Sequence, residues 1–175
     1  MSLLTDTILT TSALALRYAE SLLKDIEPAR FARLPSIGGT TIHTNHPAWV
    51  YGHLSLYPGR VLAMLGRPGS GPANPPRFED LFKGGTPCLD DPSGTVYPSM
   101  EAITAHFFAA MRAAQAALPS VSDEALARAN PVEGRLRDMF PTIAGAANFM
   151  LGAHVMSHLG QVSAWRRCMG LGPVM

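Results

Sequence analysis

Six histidines stand in this chain of 175 residues. Two of them, His154 and His158, fall four apart in the run Ala153-His154-Val155-Met156-Ser157-His158-Leu159-Gly160-Gln161. On a helix, four residues at about 100° each bring the chain to within about 40° of where it began, so both imidazoles share one face. That is the spacing of a chelating pair. Ile143, Ala147, Met150, Leu151, Val162 and Trp165 continue the same stripe, together with Gln161, and this periodicity aims the imidazoles at the core. A buried imidazole needs a partner. Two readings stand at this point, a pair of metal ligands or two hydrogen-bonded core histidines.

His53 supplies a third donor, because it too occupies an inward stripe near the middle of its helix. If the two helices are neighbours, three neutral imidazoles converge, a set that suits zinc, nickel or iron(II). Structural zinc sites are normally closed by four protein ligands, so three ligands with an open position for water or substrate read as catalytic. Trp49 and Tyr57 stand four residues either side of His53, as core aromatics or as substrate contacts. Gln161, three residues after His158, is either the outer acceptor of a ligating imidazole or a helix-packing amide.

The other candidates have plainer readings. His46 precedes His53 by seven residues, about 10 Å along a helix axis, and is a cap or a pocket-rim residue. His43 falls in a connector and is expected to be exposed, and His106, before Phe107 and Phe108, is a core or surface residue. Cys88 precedes Asp90 and Asp91 with no dedicated histidine and is read as incidental. Gly69, Gly71, Gly84 and Gly85 lie in a proline-rich connection rather than between strand and helix, so there is no phosphate-cradling loop.

The elements that position these residues are helical. Apolar residues recur at helical steps from Leu3 to Ile26, where Pro28 is expected to end the helix. A connector from Phe31 to Thr44 has room for a short extended piece. Asn45-His46-Pro47 opens a second helix, with Asn or His as cap and Pro at the first helical position. It is expected to run unbroken to about Leu65, with Trp49, His53, Leu56, Tyr57, Arg60 and Met64 on one stripe. Val50, Leu54, Val61 and Leu65 form a neighbouring stripe, so this helix should be packed on two sides.

Arg67 to Tyr97 is a long connection rich in proline and glycine, broken by a helical turn at Phe78 to Phe82. Connections of this length are usually functional or mobile. Pro98, another proline start, precedes a third helix to about Leu118 that turns Ile103, Phe107, Ala110, Ala114 and Leu118 inward. Ser122 caps a short helix through Ala129, a turn follows at Leu136 to Phe140, and Thr142 opens the last long helix, ended by Gly170. Trp165, Arg166 and Arg167 are expected to cover that helix end, where cations complement the dipole. Four long helical segments without a strand series predict an all-α four-helix bundle, with 1–175 as a single domain.

Composition excludes several classes. Apolar residues make up 47% and charged residues 15% of the chain, which argues against disorder. The balance of 14 basic and 13 acidic residues, a net charge of +1, leaves no electrostatic footprint for nucleic acid. Cys88 and Cys168 give no disulfide framework, and with no signal peptide read at the start the expected location is cytoplasmic. Met139 to Trp165 carries no formal charge and is long enough to span a bilayer. Its proline, three glycines, Asn148, His154, His158 and Gln161 mark it instead as a core helix.

Two signatures resemble those of the DinB-like (YfiT-like) metalloenzyme superfamily: Pro47-Ala48-Trp49-Val50-Tyr51-Gly52-His53-Leu54 and His154-Val155-Met156-Ser157-His158-Leu159-Gly160-Gln161. Leu81-Phe82, Asp91-Pro92, Tyr97-Pro98-Ser99 and the closing Met169-Gly170-Leu171-Gly172-Pro173-Val174 are similar as well. The resemblance implies a four-helix bundle with a long crossover between helices two and three, and frequent homodimers. It also implies a divalent ion held by His53, His154 and His158. Some relatives transfer low-molecular-weight thiols such as bacillithiol or mycothiol, or isomerise maleylpyruvate with mycothiol, and many have no established activity. The expected function is therefore a metal-dependent thiol transferase or hydrolase acting on a small-molecule substrate. A non-catalytic metal- or ligand-binding bundle, serving as a sensor or stress-response accessory protein, is the alternative.

Overall fold

The computed structural model describes residues 2–174. Helix α1 (Leu3–Leu22) starts at Ser2, whose side chain accepts the Thr5 N–H. It buries Ile8, Ala15, Ala19 and Leu22 along one stripe. It stops four residues short of the expected Ile26, because Asp25 takes a φ of 59°, in the left-handed region that an α-helix cannot continue through. Pro28 consequently opens a short 3-10 turn, Pro28–Arg30, rather than ending the helix. The connector then contains a two-stranded hairpin, β1 (Ser36–Ile37) and β2 (Thr40–Thr41), with Ser36 opposite Thr41 and Ile37 opposite Thr40. Gly38 and Gly39 form its two-residue turn at φ of 59° and 82°, which is the conformation such a hairpin turn demands.

The second rod is broken where an uninterrupted helix is expected. Helix α2 (Pro47–Ser55) and helix α3 (Tyr57–Met64) meet at Leu56, because Pro58 has no N–H to offer the preceding turn and its ring crowds the carbonyl four residues back. His46 is the cap of α2, its Nδ1 accepting the Trp49 N–H at 3.2 Å. Every residue of α2 is buried, as a helix packed on two sides requires. Arg60, placed on the inward stripe by periodicity, is exposed instead.

The long connection contains helix α4 (Phe78–Phe82), at the residues expected, with Phe78 and Phe82 buried. Asp90 and Asp91 tie the rest of it down. Asp90 takes Arg33 Nε and Nη2 at 2.8 and 3.1 Å and the Leu34 N–H at 2.7 Å. The Asp91 carboxylate accepts the N–H groups of Thr95, Val96 and Tyr97 at 3.0, 3.0 and 3.1 Å. Burial alone pushes the Asp91 pKa up, but these donors outweigh it and hold the group below its ordinary value.

Helix α5 (Met100–Ala117) is capped by Ser99, with Pro98 just before the cap. Ile103, Phe107, Ala110, Ala114 and Leu118 are buried as expected. Helix α6 (Asp123–Ala127) is capped by Ser122 and closes before Ala129, which pairs instead with Thr142 in an isolated bridge. Helix α7 (Arg135–Met139) follows. Thr142 then caps helix α8 (Ile143–Asn148), which leads through a π-helical turn, Phe149–Ala153, into helix α9 (His154–Cys168).

That π-turn changes what α9 buries. Upstream, Ile143, Ala147, Met150 and Leu151 face the core, and at 3.6 residues per turn the stripe would continue through His154, His158 and Gln161. A π-turn carries one residue more than an α-turn. The buried set downstream is therefore Val155, Leu159, Val162, Trp165 and Arg166, and the two histidines and Gln161 are half-buried at its edge. They are not core-pointing, as the uninterrupted stripe predicts.

Helix α1 packs on α8, the π-turn and α9, while α2 lies against α5, α4 and α9, and α3 against α5. The chain is all-α. Among the described residues no helix is long and apolar enough to cross a membrane. Arg166 does not cover the end of its own helix but turns inward, 2% exposed. Its Nη1 donates to the carbonyls of Leu22, at 2.9 Å, and Lys24, and its Nη2 to Gly172 at 3.1 Å. It thereby serves the negative end of α1. Trp165 is buried beside it and donates to the Arg33 carbonyl at 2.8 Å.

Candidate metal centre

The contact of α2 with α9 brings His53 against His154 and His158. One potential ligand atom from each lies within 4.8 Å of the others. Ring centroids are 5.3 Å apart for His53 and His154, and 4.7 Å for both His53–His158 and His154–His158. Sequence spacing alone pairs His154 with His158, and the fold adds the third.

Two of the three imidazoles are oriented by outer acceptors. His53 Nδ1 is 2.7 Å from the Phe82 carbonyl. A carbonyl only accepts, so Nδ1 carries the proton and Nε2 keeps its lone pair. His158 Nδ1 is 3.0 Å from Gln161 Oε1, which also accepts from Asn45 Nδ2 at 3.0 Å. The amide oxygen thus fixes the same tautomer in His158. Of the two expected roles of Gln161, the hydrogen bond to His158 is the one its position allows as an acceptor, and the same oxygen also ties in Asn45. The third imidazole, His154, has a buried Nδ1 with no hydrogen-bond partner. An unpartnered buried nitrogen beside two imidazoles whose other nitrogens are unprotonated is a donor set that suits a divalent ion.

The electrostatics keep the set neutral. Burial, the Arg60 charge and the mutual influence of the histidines lower the pKa of His53 to about 4 and that of His154 to about 3. The Phe82 carbonyl resists this only partly at His53. Burial lowers His158 too, against the opposing pull of Gln161. Neutral imidazoles are the ligating form. The shifts also carry a sign for stability. In the unfolded chain a histidine takes up its proton near 6.5, whereas folded His53 and His154 resist it, so falling pH favours the unfolded state. The metal-free protein is expected to hold full stability above about pH 6.5 and to lose it progressively as pH falls toward 4. Urea midpoints at intervals across that range check this, and a midpoint that does not move would contradict it.

Aromatic residues wall the centre. Trp49 stacks on His53 at 4.7 Å and 10°, and its Nε1 donates to Thr86 Oγ1 at 3.1 Å. It is a core aromatic and a site wall at once. The Tyr57 ring lies 4.4 Å from His154, and its hydroxyl is 3.2 Å from His53 Nε2. Phe149, on the π-turn, lies 5.4 Å from the His154 ring.

Sequence reasoning missed the Phe82 carbonyl, Asn45 and Phe149. A backbone acceptor has no side-chain signature, and Asn45 reads as a helix cap. One signal was available in Gly52, beside His53. A Cβ added there would lie 2.5 to 2.6 Å from three atoms of the Phe82 ring, so only glycine lets α4 approach α2 this closely. Gly52→Ala is expected to cost about 1–3 kcal/mol in denaturant unfolding by overpacking. By displacing the Phe82 carbonyl, it should also weaken divalent-ion binding roughly tenfold, the low end for a lost outer acceptor.

The remaining histidines and the thiol stand outside the cluster. His46 caps α2 and donates through Nε2 to the Leu89 carbonyl at 2.8 Å. His43 is exposed. His106 is buried against Phe78 with Nε2 3.2 Å from Asn74 Oδ1. Cys88 accepts the His46 N–H, and burial pushes its thiol up to about 11, so it is a poor nucleophile near neutral pH. Both cysteines are free.

The family profile of the DinB superfamily matches residues 13–162, a span that contains all three clustered histidines. The chain belongs to that superfamily, which includes metal-binding proteins. No curated protein and no solved structure matches it.

Proposed function

We propose that this chain is a metal-dependent enzyme of the thiol-transferase or hydrolase kind. His53, His154 and His158 would hold a divalent ion, zinc, nickel or iron, with its remaining side open to a small molecule. One observation carries the reading: three neutral imidazoles offer ligand atoms within 4.8 Å of one another, two of them with tautomers set by outer acceptors. Such an ion supplies Lewis acidity, which lets water or a thiol lose its proton near neutral pH.

The protein's own contribution is placement and exclusion. Phe82 and Gln161 hold two rings in register, while Trp49, Tyr57 and Phe149 pack their rings against the histidines. The cluster contains no carboxylate, so no acidic side chain stands ready as a general base. A thiol is already far more acidic than water and asks less of a base, which favours thiol transfer over hydrolysis.

The test uses tag-free protein reloaded with each metal, assayed for conjugation of a small thiol to an aryl halide and for hydrolysis of an activated ester. The expected result is metal-dependent conjugation that disappears in His53→Ala while circular dichroism shows the helices intact. Absence of both reactions with every metal would favour the non-catalytic binding bundle. Gln161→Leu should retain the fold and weaken metal binding by about 10–100-fold, read by competition with a chromophoric chelator.

A further inference from the structure

Arg60 enters the site described above only through its charge, which helps to keep His53 and His154 neutral. It sits in α3, three residues after Tyr57, and its guanidinium carbon lies 5.0 Å over the Tyr57 ring. That ring in turn lies 4.4 Å from His154 and 5.1 Å from His53. One side chain, Tyr57, thus contacts both Arg60 and the histidine cluster. The cluster itself contains no carboxylate, so no acidic ligand quenches positive charge there.

The partner of Arg60 is a weak one. Glu79 Oε2 is 3.7 Å from Arg60 Nη2, with the two side chains 49% and 54% exposed. An exposed pair at that separation contributes little, and a carboxylate with better geometry can displace Glu79 at small cost. A guanidinium matches a carboxylate in a bidentate fork, which is the geometry Glu79 does not achieve.

Tyr57 supplies a second donor. His53 Nδ1 gives its proton to the Phe82 carbonyl, so the Tyr57 hydroxyl must be the donor in its 3.2 Å contact with His53 Nε2. That nitrogen is also a potential ligand atom. Once its lone pair is engaged elsewhere, the half-buried hydroxyl is left seeking an acceptor, on the same ring that the loosely held guanidinium overlies.

We propose that Arg60 and the Tyr57 hydroxyl form an anion-recognition subsite beside the open side of the three-histidine centre, taking a carboxylate of the small molecule on which that centre acts. The subsite makes the enzyme selective for acidic substrates. Glu79 is its built-in competitor. This inference rests on the metal reading above, and its test separates the two.

Cobalt(II)-loaded protein is titrated with mercaptopropionate and with mercaptopropanol, which differ in carrying a carboxylate or a hydroxyl. Binding is read from the thiolate-to-cobalt absorption band. Wild type is expected to favour the acid, and the preference should shrink about tenfold in Arg60→Gln, the scale of one charge-assisted hydrogen-bonded pair. Tyr57→Phe should reduce the preference by about threefold, the loss of one neutral hydrogen bond. Glu79→Gln should tighten the acid alone. Arg60 is exposed and the cobalt content should not change in its variant, which keeps the readout independent of folding and of turnover. An unchanged preference in Arg60→Gln, with cobalt and thiol still bound, overturns the subsite and leaves the metal reading standing. Failure of wild type to take up cobalt overturns both.

Discussion

His154→Ala is expected to lower the affinity for a divalent ion by more than about a hundredfold, measured by competition with a chromophoric chelator. Losing only the outer acceptor of a ligating histidine costs roughly 10–100-fold, and on the proposed ligation this variant removes a ligand atom itself. The fold should survive. His154 is half-buried, its Nδ1 has no partner, and the core contacts of this turn come from Leu151 and Val155. Removing a desolvated imidazole with an unsatisfied nitrogen relieves a cost rather than creating one. Below about pH 6 the metal-free variant should therefore be at least as stable as metal-free wild type. A variant that unfolds instead would mean that His154 is a structural residue.

The second large effect lies away from the centre. Arg166→Met fills a similar volume but strips the donors from the carbonyls of Leu22, Lys24 and Gly172. A buried acceptor left without a partner costs about 1–3 kcal/mol, and the Leu22 bond is buried while those to Lys24 and Gly172 are partly so, so a total loss of about 3 kcal/mol is expected by urea denaturation. For a chain of this size that corresponds to a fall of about 10 °C in Tm. Arg166→Lys should recover part of it, since one ammonium can reach fewer of the three carbonyls. Metal binding by the folded fraction should be unchanged. The variant therefore separates what holds the end of α1 in place from what the proposed metal site needs.

Which parts of this were legible beforehand follows from where the information sits. Caps such as Thr142 and Ser122, and the helical turn at Phe78 to Phe82, are written in a few neighbouring residues, and they stand where the sequence puts them. The three histidines could be picked out because two share a helical period and the third sits mid-way along an apolar helix. The break at Leu56 has its cause in Pro58, but the continuity of the apolar stripe conceals it. Arg60 shows the same failure, since periodicity places it inward and the break leaves it exposed.

The π-turn was not legible at all. It resolves a conflict between two buried faces, one ending at Leu151 and the other beginning at Val155, and neither face alone declares it. Its consequence falls on the site. The extra residue moves His154, His158 and Gln161 from the centre of the buried stripe to its half-buried edge. Phe82 and Asn45 were hidden for a different reason, because their roles depend on long-range approach that no local pattern encodes.

The most direct test is anomalous diffraction from crystals of tag-free protein exposed to zinc, with data collected on both sides of the zinc absorption edge. The prediction is one strong edge-dependent peak at about 2.0–2.1 Å from one nitrogen each of His53, His154 and His158, with a side not occupied by protein atoms. No peak at the triad in zinc-exposed crystals, or a peak held by other residues while the three imidazoles stay free, would contradict the account.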